Sequence, residues 1–532
     1  MFFWHVSHCC NSRITFVSHS PAILMPMKTW LVLLLMCVIP VLALAQSSAS
    51  ADDISKLREQ IAIQQKQIDD LKNALEAQQN ALNNMTAAVA QQAPSVPAKP
   101  PAVDDNGKPI SPLSFRIGSA DFTPSGFMDF TAVFRSKDVG SGIGTSFGGV
   151  PFNNSTLGRL TETRFSAQNS RLALKVTEDV KDTHVTGYVE ADFLGTAPTN
   201  LNVTSNANTM RMRLYWVDLK HGKWEILGGQ SWSLMTPNRV GLSPNPSEIF
   251  YSQDMDTNYQ VGLVWARQPG IRFIYHANKE WTFGIAAENP QQFVTSGVNV
   301  PTAYANQLDA NGSGGGTSTP NVRPDVIAKL AYDTDVSGKH MHIEFAGLSS
   351  SFKTEKSSLS GTSWASGFGG SVNAVMDIAK NTHLIATTFY SDGGGRYIYG
   401  LGPDVVADVN GNLSPVHAAS GIAGLEWQAS PASMIYGYVG DAYFGRNYSG
   451  LGTTASPYYG FGYPGSSASA NRLIQEATLG YIDTFWKKPH YGALQVITQL
   501  SYMTRSPWVF PTGPNVNAHV YMLFADLRYV LP

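Results

Sequence analysis

Met128-Asp129-Phe130-Thr131-Ala132-Val133-Phe134-Arg135 sets Met128, Phe130, Ala132 and Phe134 on one side and Asp129, Thr131 and Arg135 on the other. Side chains of an extended chain alternate between its two faces, so this stretch reads as a strand with one apolar and one polar face. The same text recurs. Val185, Val189, Ala191 and Phe193 oppose Thr186, Tyr188, Glu190 and Asp192, and near the C-terminus Tyr521, Leu523, Ala525, Leu527 and Tyr529 oppose Asp526 and Arg528. Period 2 over about ten residues is the signature of a transmembrane β-barrel. A soluble sandwich also alternates, but its polar face would be richer in Lys and Glu. Charged residues make up only 14% of this 532-residue chain, against about 25% in ordinary soluble proteins.

The spacing of such stretches sharpens the reading. Strands are expected at 126–135, 163–177, 184–193, 210–219, 224–232, 258–276, 281–288, 323–334, 340–353, 366–378, 382–392, 417–428, 433–444, 471–485, 491–505 and 517–530. Long and short gaps alternate between them, as in an even-stranded barrel with long external loops and short periplasmic turns. Pro269-Gly270 is read as an irregularity within one long strand rather than as an extra turn. The fold class is thus all-β, a transmembrane antiparallel β-barrel of sixteen strands preceded by a short α-helical coiled coil. Lys181, Lys220, Lys223, Lys279, Lys339 and Lys380 fall in or beside the short turns. Arg falls largely on strands, where it should face the lumen, because a cation on the lipid face costs about 2–4 kcal/mol at mid-bilayer.

Residues 1–45 read as a leader. Lys28, the apolar run Leu31 to Leu42 and Ala43-Leu44-Ala45 form a signal peptide, with the functional start at Met25 or Met27. Cys9, Cys10 and Cys37 all lie in it, so the exported chain carries no thiol chemistry. Residues 46–92 read as a periplasmic coiled-coil helix. Ile54, Ile61, Ile68, Leu75 and Leu82 take a positions and Leu57 and Leu71 take d positions, the 3.5-residue seam of self-associating helices. A Pro-rich linker spans 93–125, and the barrel domain spans 126–532. The net charge of −2 excludes a nucleic-acid partner recruited by bulk charge.

Signal peptide, coiled coil, Pro-rich spacer and sixteen-stranded barrel together resemble the DcaP-type trimeric outer-membrane porins of Gram-negative bacteria. Gly229-Gln230-Ser231-Trp232-Ser233 and Ala287-Glu288-Asn289-Pro290 are similar to segments of that family. The resemblance covers roughly 52–532. It implies a homotrimer in the outer membrane, in contact with lipid and lipopolysaccharide, and a pore narrowed by an inward third external loop. That loop is expected at 233–257, with Arg239, Glu248, Asp254 and Asp256 as its charges. Acidic residues slightly outnumber basic ones in the barrel, so the family's tendency toward anionic substrates is not carried by net charge.

Arg135, Arg164, Arg171, Lys175, Arg211, Arg213, Tyr215 and Arg272 are the expected pore-lining residues. Facing the loop acids, these cations would set a transverse field, and guanidinium forks bind carboxylates bidentately. The competing reading makes the same arginines wall braces, paired with Glu190, Asp192 and the loop acids. His340, His342 and Glu344 have metal-ligand spacing but read as lumen wall. Asp404, Asp408 and Asn410 read as a solvated loop rather than a calcium site. No nucleophile–base pair can be placed, and no cofactor is expected. The function expected is diffusion of small hydrophilic, anionic or carboxylated solutes through an Arg-lined pore. The alternative is an envelope anchor, its coiled coil reaching the cell wall.

Overall fold

The computed structural model describes residues 111–196, 208–245, 249–310, 323–356, 361–450 and 457–532, together with Ala62, Gln65, Lys66, Asp69, Lys72 and Asn73. The chain divides into two units, Met1–Pro100 and Pro101–Pro532. In the first, the six described residues are helical and exposed. They occupy b, e and f positions of the expected heptads. The seam residues Ile54, Leu57, Ile61, Ile68, Leu71, Leu75 and Leu82 lie outside the described residues, as do the leader and Glu248.

The second unit is built around sixteen staves. They are β1 (Ala120–Arg135), β2 (Glu162–Ser166 and Arg171–Val180, one stave broken midway), β3 (Thr183–Asp192), β4 (Arg211–His221), β5 (Trp224–Trp232), β6 (Arg267–His276), β7 (Trp281–Glu288) and β8 (Asp325–Val336). Then come β9 (Lys339–Glu355), β10 (Thr362–Ala379), β11 (Thr382–Asp392), β12 (His417–Gln428), β13 (Ser433–Phe444), β14 (Asn471–Lys488), β15 (Gly492–Pro507) and β16 (Ala518–Val530). Each pairs antiparallel with the next. The barrel closes where β16 meets β1, from Phe127↔Val530 to Arg135↔Met522. Closure leaves no sheet edge, the condition for a β structure to cross lipid.

All sixteen expected strands are present, and two boundaries shift most. β1 begins at Ala120, and Phe115–Ile117 folds back to pair with it. β6 begins at Arg267 rather than 258, because Asn258 (φ 87°) and Gly262 (φ 96°) turn the preceding segment out of extended conformation. Pro269-Gly270 stays within β6, paired with Gln230 and Gly229. At one end of the barrel the turns are tight. Val336↔Lys339 encloses only Ser337 (φ 54°) and Gly338 (φ 74°), the paired left-handed conformations whose twist matches that of a hairpin.

Burial is inverted relative to a soluble protein. Met128, Phe130, Phe165, Val217, Phe273, Leu479 and Leu500 are exposed, while Arg135, Arg213, Lys329, Glu344, Glu426 and Asp526 are buried. Phe130 and Phe165 stack on the outer face at 5.8 Å. Exposed Trp224, Trp427 and Trp486 lie near the short turns, as an interfacial aromatic girdle does.

Candidate functional site

The segment between β5 and β6 is an inward belt. It runs from Ser233 to Ala266, longer than the expected 233–257, since residues 258–266 join it instead of β6. Its first limb is held by β7, β8 and β9. The Leu234 N–H donates to Glu288 Oε1 at 2.7 Å, and Lys329 Nζ donates to the Thr236 carbonyl at 2.8 Å. The Asn238 N–H donates to Glu344, which itself pairs with Lys329 at 2.9 Å. Arg239 then reaches β12, donating to both oxygens of Glu426 at 2.6 and 2.9 Å. It also donates to the Ile249 carbonyl at 2.6 Å, which draws the two limbs of the loop together.

The middle of the belt lies on β13 to β16. The Tyr251 N–H donates to the Tyr438 hydroxyl at 3.2 Å, the Gln253 N–H to Gln499 at 2.9 Å, and the Val261 N–H to Glu476 at 2.8 Å. Arg528 on β16 donates to Gln253 Oε1 at 2.8 Å. Ile249, Phe250, Val261, Leu263 and Val264 are buried in one core with wall residues such as Ile422 and Phe524. At Gly262 the belt presses so closely on the wall that a Cβ would collide with the carbonyl oxygens of Gly421 and Asp441. Buried apolar contacts and paired backbone polar groups together fix a long loop that would otherwise be mobile.

The two acids of the belt sit in opposite surroundings. Asp256 meets three guanidinium groups: Arg171 of β2 at 3.3 Å, Arg211 of β4 at 3.1 Å, and Arg213 of β4 in a shorter contact. Arg211 and Arg213 also pair with Asp192 at 2.6 and 2.8 Å, and Arg213 with Glu190 at 2.7 Å. Burial pushes the Asp256 carboxyl up, but Arg213, Arg171 and Arg211 outweigh it and hold the carboxyl below its ordinary range. Asp254, two residues earlier, lies by Glu476 and Thr478 of β14. Its carbonyl accepts the Thr145 N–H at 2.8 Å from the β1–β2 loop. Burial pushes its carboxyl up to about 6, only partly offset by hydrogen bonds from Ser501, Glu476 and Gln499.

The structure therefore gathers Arg171, Arg211 and Arg213 at one place, as the sequence spacing implied. They contact the loop acid directly, so the separation that a transverse field requires is absent there. Arg164 pairs with Glu162 at 2.5 Å. Arg135 is fully buried, donating to Glu162 and to the Gly142 carbonyl at 2.9 Å each, and so pins the β1–β2 loop. Arg272 is buried too, donating to Ser231 Oγ at 2.9 Å. Lys175 is exposed, on the face of β2 that carries Arg171. Tyr215 is a correction. It points outward, 41% exposed beside Val217 and Leu219. The β3–β4 register shifts between Glu190↔Leu214 and Ala191↔Met212. That leaves Arg213 and Leu214 both buried and flips the parity of everything after them. In the other candidates, His342 Nδ1 lies 2.7 Å from Asp333. Asp404, read as solvated, is buried against Arg396 at 3.3 Å, and Asp408 caps its own turn through the N–H groups of Asn410 and Asn412.

One cation escaped the sequence reading. Arg267, the first residue of β6, stacks over Trp232 at 5.5 Å, and its guanidinium makes no hydrogen bond or ion pair with any described residue. The signal was Trp265-Ala266-Arg267-Gln268, where aromatic and polar residues interrupt the alternation.

No protein-family model matches the chain, and no curated protein matches it in sequence. Among solved structures it is similar to the outer membrane channel DcaP of Acinetobacter baumannii, at 16% identity and a TM-score of 0.55, covering 78% of this chain and 100% of that one. An anion-selective porin from Comamonas acidovorans matches at 11% identity and a TM-score of 0.43, over 77% of this chain and 99% of that one. At such identities the likeness speaks for the fold. The chain has the closed sixteen-stranded barrel fold of the DcaP outer-membrane channel, as the resemblance in its overall architecture implied.

Proposed function

We propose that the protein is an outer-membrane porin through which small hydrophilic solutes diffuse, with a preference for anionic ones. The observation that carries this reading is the inverted barrel. It has an apolar outer wall and a charged interior crossed by an inward belt, an arrangement that suits a water-filled lumen. Four guanidinium groups, Arg171, Arg211, Arg213 and Arg267, lie around three carboxylates, Glu190, Asp192 and Asp256. That local excess of positive charge, with Lys175 below it, favours anions. The belt from Ser233 to Ala266 is the constriction. A plain anchor would need none of these buried charges.

In the same reading residues 1–45 are removed on export, 46–92 form a periplasmic coiled coil, and 93–125 link it to a barrel that assembles as a homotrimer among lipid and lipopolysaccharide. The test is the reversal potential of the mature protein in a planar bilayer under a KCl gradient. Conductance steps in threes with an anion-favouring potential are expected. Triplet steps with a cation-favouring potential would hand selectivity to acids such as Asp254, and a folded barrel without conductance would sink the porin reading. Deleting 52–92 should weaken the trimer; a trimer of undiminished heat resistance would assign the coiled coil to another task, such as contact with the cell wall.

A further inference from the structure

At the β5–β6 end of the belt lies a cavity of about 500 Å³, within the range of small-molecule sites. Trp232, Trp265, Tyr259 and Tyr399 wall it. The two tryptophan rings stand 4.2 Å apart at 49°. Its charge content is specific. Only two charged residues line it, Arg267 and Arg396; the neighbouring Arg171, Arg211 and Arg213 lie outside the lining and are matched three to three by Glu190, Asp192 and Asp256. Arg396, the second guanidinium of the cavity, is held by Asp325 and Asp404. Of these two guanidiniums, only that of Arg267 has no hydrogen bond or ion pair among the described residues. Two amide side chains of the lining, Gln268 and Asn289, likewise have no partner among the described residues.

We propose that this cavity is a binding site for a hydroxylated monocarboxylate of the sugar-acid class. Its carboxylate takes the Arg267 fork, its hydroxyls take the amides of Gln268 and Asn289, and its carbon face lies against the half-buried Tyr399 ring, with the edges of the buried Trp232 and Trp265 behind it. A guanidinium fork matches a carboxylate bidentately. An amide offers both donor and acceptor to a hydroxyl, and an aromatic ring offers an apolar face. A dicarboxylate would bring a second charge, and the described lining has no second unpaired cation to meet it. A bare aromatic acid would leave both amides unpaired, which a polar site penalises. The site deepens the porin reading, on which it relies for a route to the solute, but binding itself does not require conduction.

The test is a calorimetric titration of the full mature chain in detergent with sodium glucuronate, beside glucose, acetate and succinate. Saturable binding of glucuronate is expected, stronger than that of the other three. It should weaken at least about tenfold in Arg267→Ala, the loss of one charge-assisted contact. If Arg267→Ala fails to fold, Gln268→Ala serves; it should weaken glucuronate and leave acetate unchanged. No saturable glucuronate binding, equal binding by Arg267→Ala, or tighter binding of succinate would overturn the site. Glucuronate binding by a chain that does not conduct in bilayers would remove the porin reading and keep the site. Conductance without glucuronate binding would do the reverse.

Discussion

Asp254 and Asp256 stand two residues apart on one belt, yet the barrel treats them oppositely. Asp256 faces the β2–β4 arc, where three arginines converge on it. Asp254 faces the β14–β16 arc, where Glu476 and Asp526 are themselves buried carboxylates and Arg528 is already paired with Asp129 at 2.7 Å. One wall clamps the belt by charge attraction. The other seats it by backbone hydrogen bonds and apolar packing, and only tolerates the acid. A loop acid is therefore a poor guide to pore electrostatics until its wall is known.

The contrast can be broken most forcibly at the clamp. Asp256→Ala leaves three guanidiniums packed around an empty place, and removing one partner of a buried pair costs about 3–5 kcal/mol. The temperature at which the folded barrel unfolds on a gel should drop sharply, and an unchanged midpoint would refute the clamp. Arg239→Ala comes next, at about 2–3 kcal/mol. It removes both contacts to Glu426, which keeps only the Tyr438 hydroxyl at 2.7 Å. Limited proteolysis should then cut within the belt.

Asp254→Asn tests the opposite arc and has the opposite sign. A carboxyl raised to about 6 in the fold, against about 3.9 unfolded, contributes stability that is full below pH 4 and lost as the pH rises through 6. The loss is on the order of 3 kcal/mol. Thermal midpoints of the wild type should fall across that window, and Asp254→Asn should flatten the slope. Asp256, held below its ordinary range, keeps its contribution throughout that window and loses it only in stronger acid. Tyr215→Ala should be the smallest perturbation. Stability should move by no more than about 0.5 kcal/mol, and ion selectivity not at all, because the ring faces outward; a changed reversal potential would place it back in the lumen.

Most of the fold was legible because lipid imposes a simple rule. Each crossing segment needs about ten residues of strict alternation, and the alternation of long and short connections then gives strand number and parity. The N-terminal heptads were equally readable as pattern, though their seam lies outside the described residues. The site was legible in part. Arg171, Arg211 and Arg213 were placed on the inner face by period 2 alone. Tyr215 was misplaced because a single bulge at Arg213–Leu214 leaves little trace in local composition. Arg267 was missed because Asn258 and Gly262 delay the start of the strand to Arg267, later than hydrophobicity suggests.

The sequence by itself determined the barrel, its number of staves and the inward direction of its arginines, because alternation and spacing are local properties that the solvent on each face enforces. Only the tertiary structure decided which arginines are spent and which are free. Pairing depends on where a thirty-odd-residue belt comes to rest against walls far away in sequence, as Arg239 and Glu426 do across 187 positions, and no local pattern encodes that distance.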